Sequence, residues 1–215
     1  MSLDPINCPN IGVIQLAEWI SSPAASEPIL TLRQAWNPAS ALTGGTVRFG
    51  WSGQSLLLHA TLPDRDIFNP VTRFNEPAYL AGDVFEIFLR PLNQPAYYEL
   101  HISPTNQRFL ARFPKNWAEA QPGETVEHTT ADIPLHSEVR IDNAAARWEV
   151  FAEIPLAPLC ESAPLSASSE WLVSFSRYDY TRTDDGMTAE LFSTSPHAKL
   201  SFHRQHEWSS VHLGT

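Results

Sequence analysis

The sequence predicts an all-β fold: an antiparallel β-sandwich of jelly-roll or immunoglobulin-like kind, with few or no long helices. Three observations carry that prediction. Apolar residues recur with period two in short runs, turn-forming residues separate the runs at short spacing, and no segment shows an amphipathic-helix pattern. Eighteen Pro against nine Gly fit the same picture of interrupted, turn-bounded strands. With 215 residues, 43% of them hydrophobic, and seven Trp, the chain can bury a sizeable core. No internal repeat or linker divides it, so it reads as one domain, with a Pro- and Ser-rich wrapping segment over 1–45 and a core over 46–213.

The elements follow in order. Ile11–Trp19 reads as a short strand or a helical turn. Thr46–Trp51 alternates Val47, Phe49 and Trp51 against Arg48 and Gly50, and a turn at Ser52–Gln54 leads into Ser55–Leu62, giving a hairpin. A polar loop, Asp64–Tyr79, precedes a second hairpin over Gly82–Pro104, GDVFEIFLRPLNQPAYYELHISP. Here Phe85, Ile87, Leu89, Tyr98, Leu100 and Ile102 form one face. Val84, Glu86, Phe88, Arg90, Tyr97, Glu99 and His101 form the other. That second face carries more charge than a wet sheet surface needs, and reads as either a recognition surface or a buried ionic network. Arg108–Phe113 is a strand with Phe109, Ala111 and Phe113 on one side, and a short strand is expected near Thr125–Thr129. Val139–Asp142 and Arg147–Ile154 make a hairpin about Asn143–Ala146, followed by a single helical turn in IPLAPLC. Trp171–Tyr180 is a long strand, Thr181–Met187 a polar loop with a turn at Asp184–Gly186, Lys199–His203 a short strand and Ser209–Leu213 a closing one.

The formal charge of −10 excludes nucleic acid and anionic membrane surfaces as partners, since both require basic patches. No stretch approaches the roughly 20 apolar residues of a membrane span. The N-terminus, MSLDPINCPN, lacks a basic region followed by an apolar run, so the expected compartment is the cytoplasm unless a removed leader precedes it. Cys8 and Cys160 read as free thiols, and no Cys/His spacing suggests zinc. Oligomeric state does not follow from the sequence.

The order of motifs resembles the family 9 carbohydrate-binding modules and their DOMON-like relatives. The resemblance rests on VRFGWSGQSLLLHATLPDRD, then the Asp-x-x-Glu strand Asp83–Glu86, then YYELHISP at Tyr97–Pro104. A late strand with Arg177 (WLVSFSRYDY) and a terminal segment with Phe202, His203 and Trp208 complete it. Together these span residues 46–213. The resemblance implies a β-sandwich that binds a mono- or oligosaccharide without catalysing a reaction, with bound calcium in some members.

Sugar recognition needs aromatic faces for the CH patches of a pyranose and planar polar groups for its hydroxyls. Trp51, Tyr79, Trp117 and Tyr180 are the candidate platforms; Trp51, in phase with Val47 and Phe49, reads instead as core. The expected ligand-binding set is Tyr79, Glu86, Arg90, Glu99, Arg112, Trp117 and Arg177. Glu86 and Glu99, on adjacent strands, also suit a glycoside-processing enzyme if they oppose each other at roughly 5 Å. Against that, Arg90, His101, Arg112 and Arg177 are available to neutralise both in an ion-pair network. A protein-interaction sandwich with a purely structural network is the third reading. Asp64 and Asp66, with Asn69 in the same oxygen-rich loop and Asp83 beyond it, suit a calcium ion as cofactor, or equally cap turns through Asx bonds. His203, His206 and His212 read as solvated surface, and haem ligation finds no suitable Met: Met187 falls in the expected polar loop.

Overall fold

The computed structural model describes residues 4–12, 14–21, 27–115, 127–166 and 169–214. The elements among them are strands β1 (Ile6–Cys8), β2 (Ile29–Arg33), β3 (Thr43–Trp51), β4 (Ser55–Pro63), β5 (Val84–Pro91), β6 (Tyr97–Ile102) and β7 (Arg108–Phe113), then β8 (Thr129–Thr130), β9 (His136–Asp142), β10 (Arg147–Pro155), β11 (Glu170–Thr183), β12 (Gly186–Ser193) and β13 (Ser209–Leu213). One short helix, α1 (Leu16–Ser21), precedes β2. The hydrogen-bonded path runs β8-β7-β6-β5-β11-β12-β2-β3-β4-β10-β9, with β13 beside β11 and β1 beside β13. Every pairing of strands is antiparallel except β1 with β13.

The sheet folds over where β12 meets β2 through the single pair Ser193–Arg33. Two layers then face each other, giving the expected all-β sandwich. Their shared core takes Phe85, Ile87, Leu89, Leu100, Val173 and Phe175 from one side and Val47, Phe49, Leu58, Trp148 and Val150 from the other. Phe49 and Phe175 meet across it with ring centroids 5.5 Å apart. Trp51 belongs to this core, as its phase predicts. Period-two alternation decides which side chains enter it, and burial of this apolar area is the dominant favourable term.

The N-terminal segment is tied down by α1. Trp19 is buried, its indole Nε1–H donating to Glu27 Oε1 at 2.6 Å, with the Arg48 guanidinium 3.9 Å over its ring and paired to the same Glu27. Cys8 is buried and Cys160 half-buried, both free thiols; burial pushes Cys8 up to about 12, so it stays inert as a nucleophile.

Three expected features differ. Within the segment expected to wrap the core, β2 lies on the sheet path between β12 and β3, and β3 starts at Thr43. Thr181–Met187 is not a loop: β11 continues to Thr183 and turns straight into β12. Met187, Thr188, Ala189 and Glu190 are exposed, so β12 shows no alternation and is set by backbone pairing with β11. Conversely, Lys199–His203 forms no strand and belongs to a loop that runs to β13. At the start of β3, Gly45 adopts φ +124°, and a Cβ there would lie 2.2 Å from the Thr61 carbonyl oxygen. A register shift between Leu32 and Arg33 accompanies this irregularity.

Candidate functional site

The second face of the β5–β6 hairpin does not meet water. All of β6 and nearly all of β5 are buried on both sides, because a second apolar layer covers the outer face. Phe88, Tyr97, Phe109, Ala111, Phe113, Phe202 and Trp208 make that layer, with Trp36, Leu172, Tyr178 and Leu191 packed on it. The segment between β12 and β13 folds over the sheet to supply Phe202 and Trp208. It is pinned by Trp208 Nε1–H donating to the Phe202 carbonyl at 2.7 Å, and by Glu207, which accepts from Arg204 at 2.7 and 2.8 Å and lies 3.0 Å from His197 Nδ1.

Between this segment, the 3-10 turn Ala78–Leu80 and residues Glu127 and His128 before β8 opens a cleft of about 630 Å³. Its walls are Tyr79, Tyr178, Phe109, Phe113, His128 and His203, and Glu86 and Glu99 line it too. Tyr79 and Tyr178 lie 5.8 Å apart at 49°. The Tyr180 hydroxyl donates to the Tyr79 carbonyl at 2.8 Å, so Tyr180 props the turn that carries Tyr79.

The floor of the cleft is a buried triad. Glu86 stands directly opposite His101 in the β5–β6 register, while Glu99 stands opposite Phe88. The two glutamates are therefore diagonal and meet through the histidine: His101 Nε2 lies 2.6 Å from Glu99 Oε1 and 3.3 Å from Glu86 Oε1. Burial penalises charge on all three groups. Burial pushes Glu86 up to about 8, with His101 opposing and Glu99 adding to the shift. Burial also disfavours charge on His101, but Glu86 and the hydrogen bond to Glu99 outweigh it and raise its pKa. Burial favours neutral Glu99 as well, yet the hydrogen bond and charge of His101 hold it below the ordinary carboxyl range. Glu86 thus keeps its proton at neutral pH and Glu99 is the carboxylate, while both glutamates favour the cationic form of the His101 ring between them.

Two polar groups line the cleft. Among the described residues, Glu99 Oε2 is buried without a hydrogen-bond partner, its nearest counter-group there being His203 Nε2 at 3.8 Å. The Tyr97 hydroxyl holds His203 through Nδ1 at 2.7 Å, and burial lowers the His203 pKa, leaving the ring neutral. The carboxyl of Glu86 is the second.

The other expected site residues lie elsewhere. Arg177 is in phase with Phe175, so it enters the sandwich interior, away from the cleft. It donates to the Gly44 and Pro63 carbonyls at 2.9 and 2.7 Å and to Asp64 at 2.8 Å, with Asp179 at 3.1 Å. Arg90 reaches Gln205 and fastens the covering segment. Arg112 pairs with Glu161 at 2.5 and 2.7 Å on the far face of β7. Of the four partners expected to neutralise the glutamates, His101 alone does so; the strand phase of Arg177 and Arg112 forbids it. Trp117 lies outside the described residues. Tyr178, His128 and His203 went unnoticed in the sequence as cleft residues; Tyr178 shares a face with Glu86 and Tyr97 once β11 is known to pair with β5.

The expected calcium ligands do not converge as a set. Asp66 turns outward to Arg182. Asp64, Asp83 and Asp179 do gather, with oxygens within 4.8 Å of one another. Both Asp64 oxygens are engaged, by Arg177 and the Asp66 N–H. Both Asp83 oxygens accept backbone N–H groups, from Phe68 and Tyr180 at 2.7 Å each. Calcium needs 6–8 oxygen ligands. The Arg177 guanidinium supplies the cation here instead, and the residues do not fit a calcium ion.

Neither a protein-family model nor a curated protein sequence matches the chain. Solved structures do. A protein from Bacteroides uniformis described as a putative carbohydrate-binding protein superposes with TM-score 0.70 at 14% identity, over 97% of this chain and 99% of that one. A family 9 carbohydrate-binding module from Caldicellulosiruptor kristjanssonii, in complex with cellotriose, gives 0.64 at 13% identity over 97% and 93%. The glucose complex of a family 9 module from the same organism gives 0.57 at 13% over 86% and 85%. The chain has a family 9-like fold. At this identity the family 9 likeness speaks for the sandwich and its strand order, and the cleft must be argued from its own side chains.

Proposed function

We propose that the chain is a non-catalytic carbohydrate-binding domain that seats one uncharged sugar residue in the cleft above Glu86 and Glu99. The observation that carries this reading is an aromatic-walled cleft lined at its buried floor by the carboxyl groups of Glu86 and Glu99. A pyranose offers apolar CH faces to Tyr79 and Tyr178 and hydroxyls to the carboxyl groups: Glu99 accepts, and the neutral Glu86 acid both donates and accepts. The family 9 neighbours, seen with cellotriose and glucose, support the same ligand class.

Glycoside hydrolysis also calls on two carboxyl groups, one protonated and one ionised. His101 holds one Glu99 oxygen at 2.6 Å and leaves the other unpartnered among the described residues, so turnover of a glycoside that Glu99→Gln abolishes would favour that second reading. Titration calorimetry against a panel of neutral mono- and oligosaccharides tests the proposal, and absence of heat with all of them at millimolar protein would overturn it. Tyr79→Ala is expected to weaken binding of the ligand found by about tenfold, roughly 1.4 kcal/mol, by removing one stacking wall. Unchanged affinity would remove Tyr79 from the site.

A further inference from the structure

A second hollow, of about 650 Å³, lies beside the cleft and is lined by Gln34, Trp36, Asn37, Leu42, Glu190 and Leu191. It is continuous with the cleft in two ways. Leu200, 54% exposed, lines both. The Trp36 ring sits 6.0 Å from Phe202, whose other neighbours include Tyr178 at 5.7 Å. Trp36 and Leu191 thus rest on the same apolar layer that walls the cleft, and Leu200 with Phe202 forms a low ridge between the two hollows.

The loop that carries Trp36 is short and internally bonded. Asn37 N–H donates to the Gln34 carbonyl and Ser40 N–H to the Asn37 carbonyl, both at 2.9 Å, and Leu42 N–H to Ser40 Oγ at 3.3 Å. The indole is therefore held in place by two successive turns and by Phe202. Around it stand two side-chain amides, Gln34 and Asn37, and the exposed Glu190 carboxylate. An indole face with planar amides and one carboxylate at its rim has the same chemistry as a pyranose platform.

Resting on the saccharide reading above, we propose that this hollow is a second sugar subsite, so that the ligand is a neutral oligosaccharide lying across Leu200. Its first residue fills the triad cleft and a later residue stacks on Trp36. A monosaccharide then uses only part of the surface, and affinity rises with chain length until Trp36 is reached. The proposal concerns Trp36 in particular, because the ridge and the triad are shared with the first residue.

The experiment is calorimetry of the wild type, Trp36→Ala and Trp36→Phe with glucose and with the di-, tri- and tetrasaccharides of the β-1,4-, β-1,3- and α-1,4-linked glucose series. In at least one series the wild type is expected to gain about tenfold or more in affinity with length. Trp36→Ala should lose that gain while binding the monosaccharide within about twofold of wild type, and Trp36→Phe, which keeps an aromatic platform, should recover part of it. Affinity independent of length in every series, with monosaccharide binding intact, overturns the second subsite and leaves the first. Equal weakening of monosaccharide and oligosaccharide by Trp36→Ala also overturns it, because the ring would then merely brace Phe202. If none of these sugars binds the wild type, both the subsite and the reading beneath it fall.

Discussion

Arg177→Met is expected to lower the unfolding free energy by about 3–5 kcal/mol, the usual loss when one member of a buried ion pair is removed. Arg177 is fully buried and binds both the Gly44 and Pro63 carbonyls, the Asp64 carboxylate and, at 3.1 Å, Asp179. It joins β3, the end of β4 and β11 at one end of the sandwich, so its loss leaves acceptors from three elements without their donor. Burial already pushes Asp83 up to about 7 and Asp179 up to about 6. Without the guanidinium those groups hold protons more firmly still, and the destabilisation should be smaller at pH 5 than at pH 8. Thermal unfolding checks this: at roughly 2–4 °C per kcal/mol for a chain this size, the melting temperature should fall by on the order of 10 °C. A fall of under about 2 °C would mean that the network is not holding the layers together. Because Arg177 points away from the cleft, sugar affinity measured well below the melting temperature should be unchanged.

Glu86→Gln is expected to remove one component of the pH dependence of stability instead of a contact. Glu86 in the folded chain titrates near 8, against an ordinary value of 4.5. Between those values the unfolded chain has released this proton and the folded chain keeps it, so stability falls as pH rises through the window. His101, raised above 6.5, acts in the same direction: its contribution is present at low pH and lost as pH climbs through its folded value. Glu99, lowered, acts oppositely and in a lower range, contributing above 4.5 and losing that contribution as pH falls. Gln reproduces the neutral acid at all pH values. The variant should therefore match wild type near pH 5 and exceed it by a few kcal/mol at pH 9. Urea denaturation across that range is the measurement, and parallel wild-type and variant profiles would refute a buried neutral Glu86. Asp83 and Asp179 also release protons in this window, so the variant flattens the wild-type slope without removing it.

Strand phase was the most legible property of the sequence. The hairpin faces over Gly82–Pro104, the side of Phe109 and Phe113, and the core place of Trp51 all follow from alternation, because a pleated backbone leaves no other choice. What alternation cannot give is which strand lies beside which, and the errors follow from that. The sequence left open whether Glu86 and Glu99 oppose each other; one step of register puts His101 opposite Glu86 and makes the histidine the shared partner. Arg177 was expected among the glutamates; alternation within β11 itself, counted from Phe175, already sends it inward. β12 was invisible because Met187, Thr188, Ala189 and Glu190 are all exposed, and nothing but backbone pairing defines it. His203 read as surface because the covering segment has no periodicity; its place depends on Tyr97 and Phe88, which are distant in sequence.

The pairing of β1 with β13 has a mechanical consequence. The two run parallel through Ile6–Val211, Asn7–His212 and Cys8–Leu213, with Gly214 N–H closing onto the Cys8 carbonyl at 2.7 Å. Residues before Ile6 and residues after Leu213 therefore leave from opposite ends of one short ladder. Tension applied between them loads its rungs in shear, all together, like a lap joint, and does not peel them one at a time. Since β13 is also bonded to β11 over Glu170–Val173, that load passes straight into the longest strand of the sandwich.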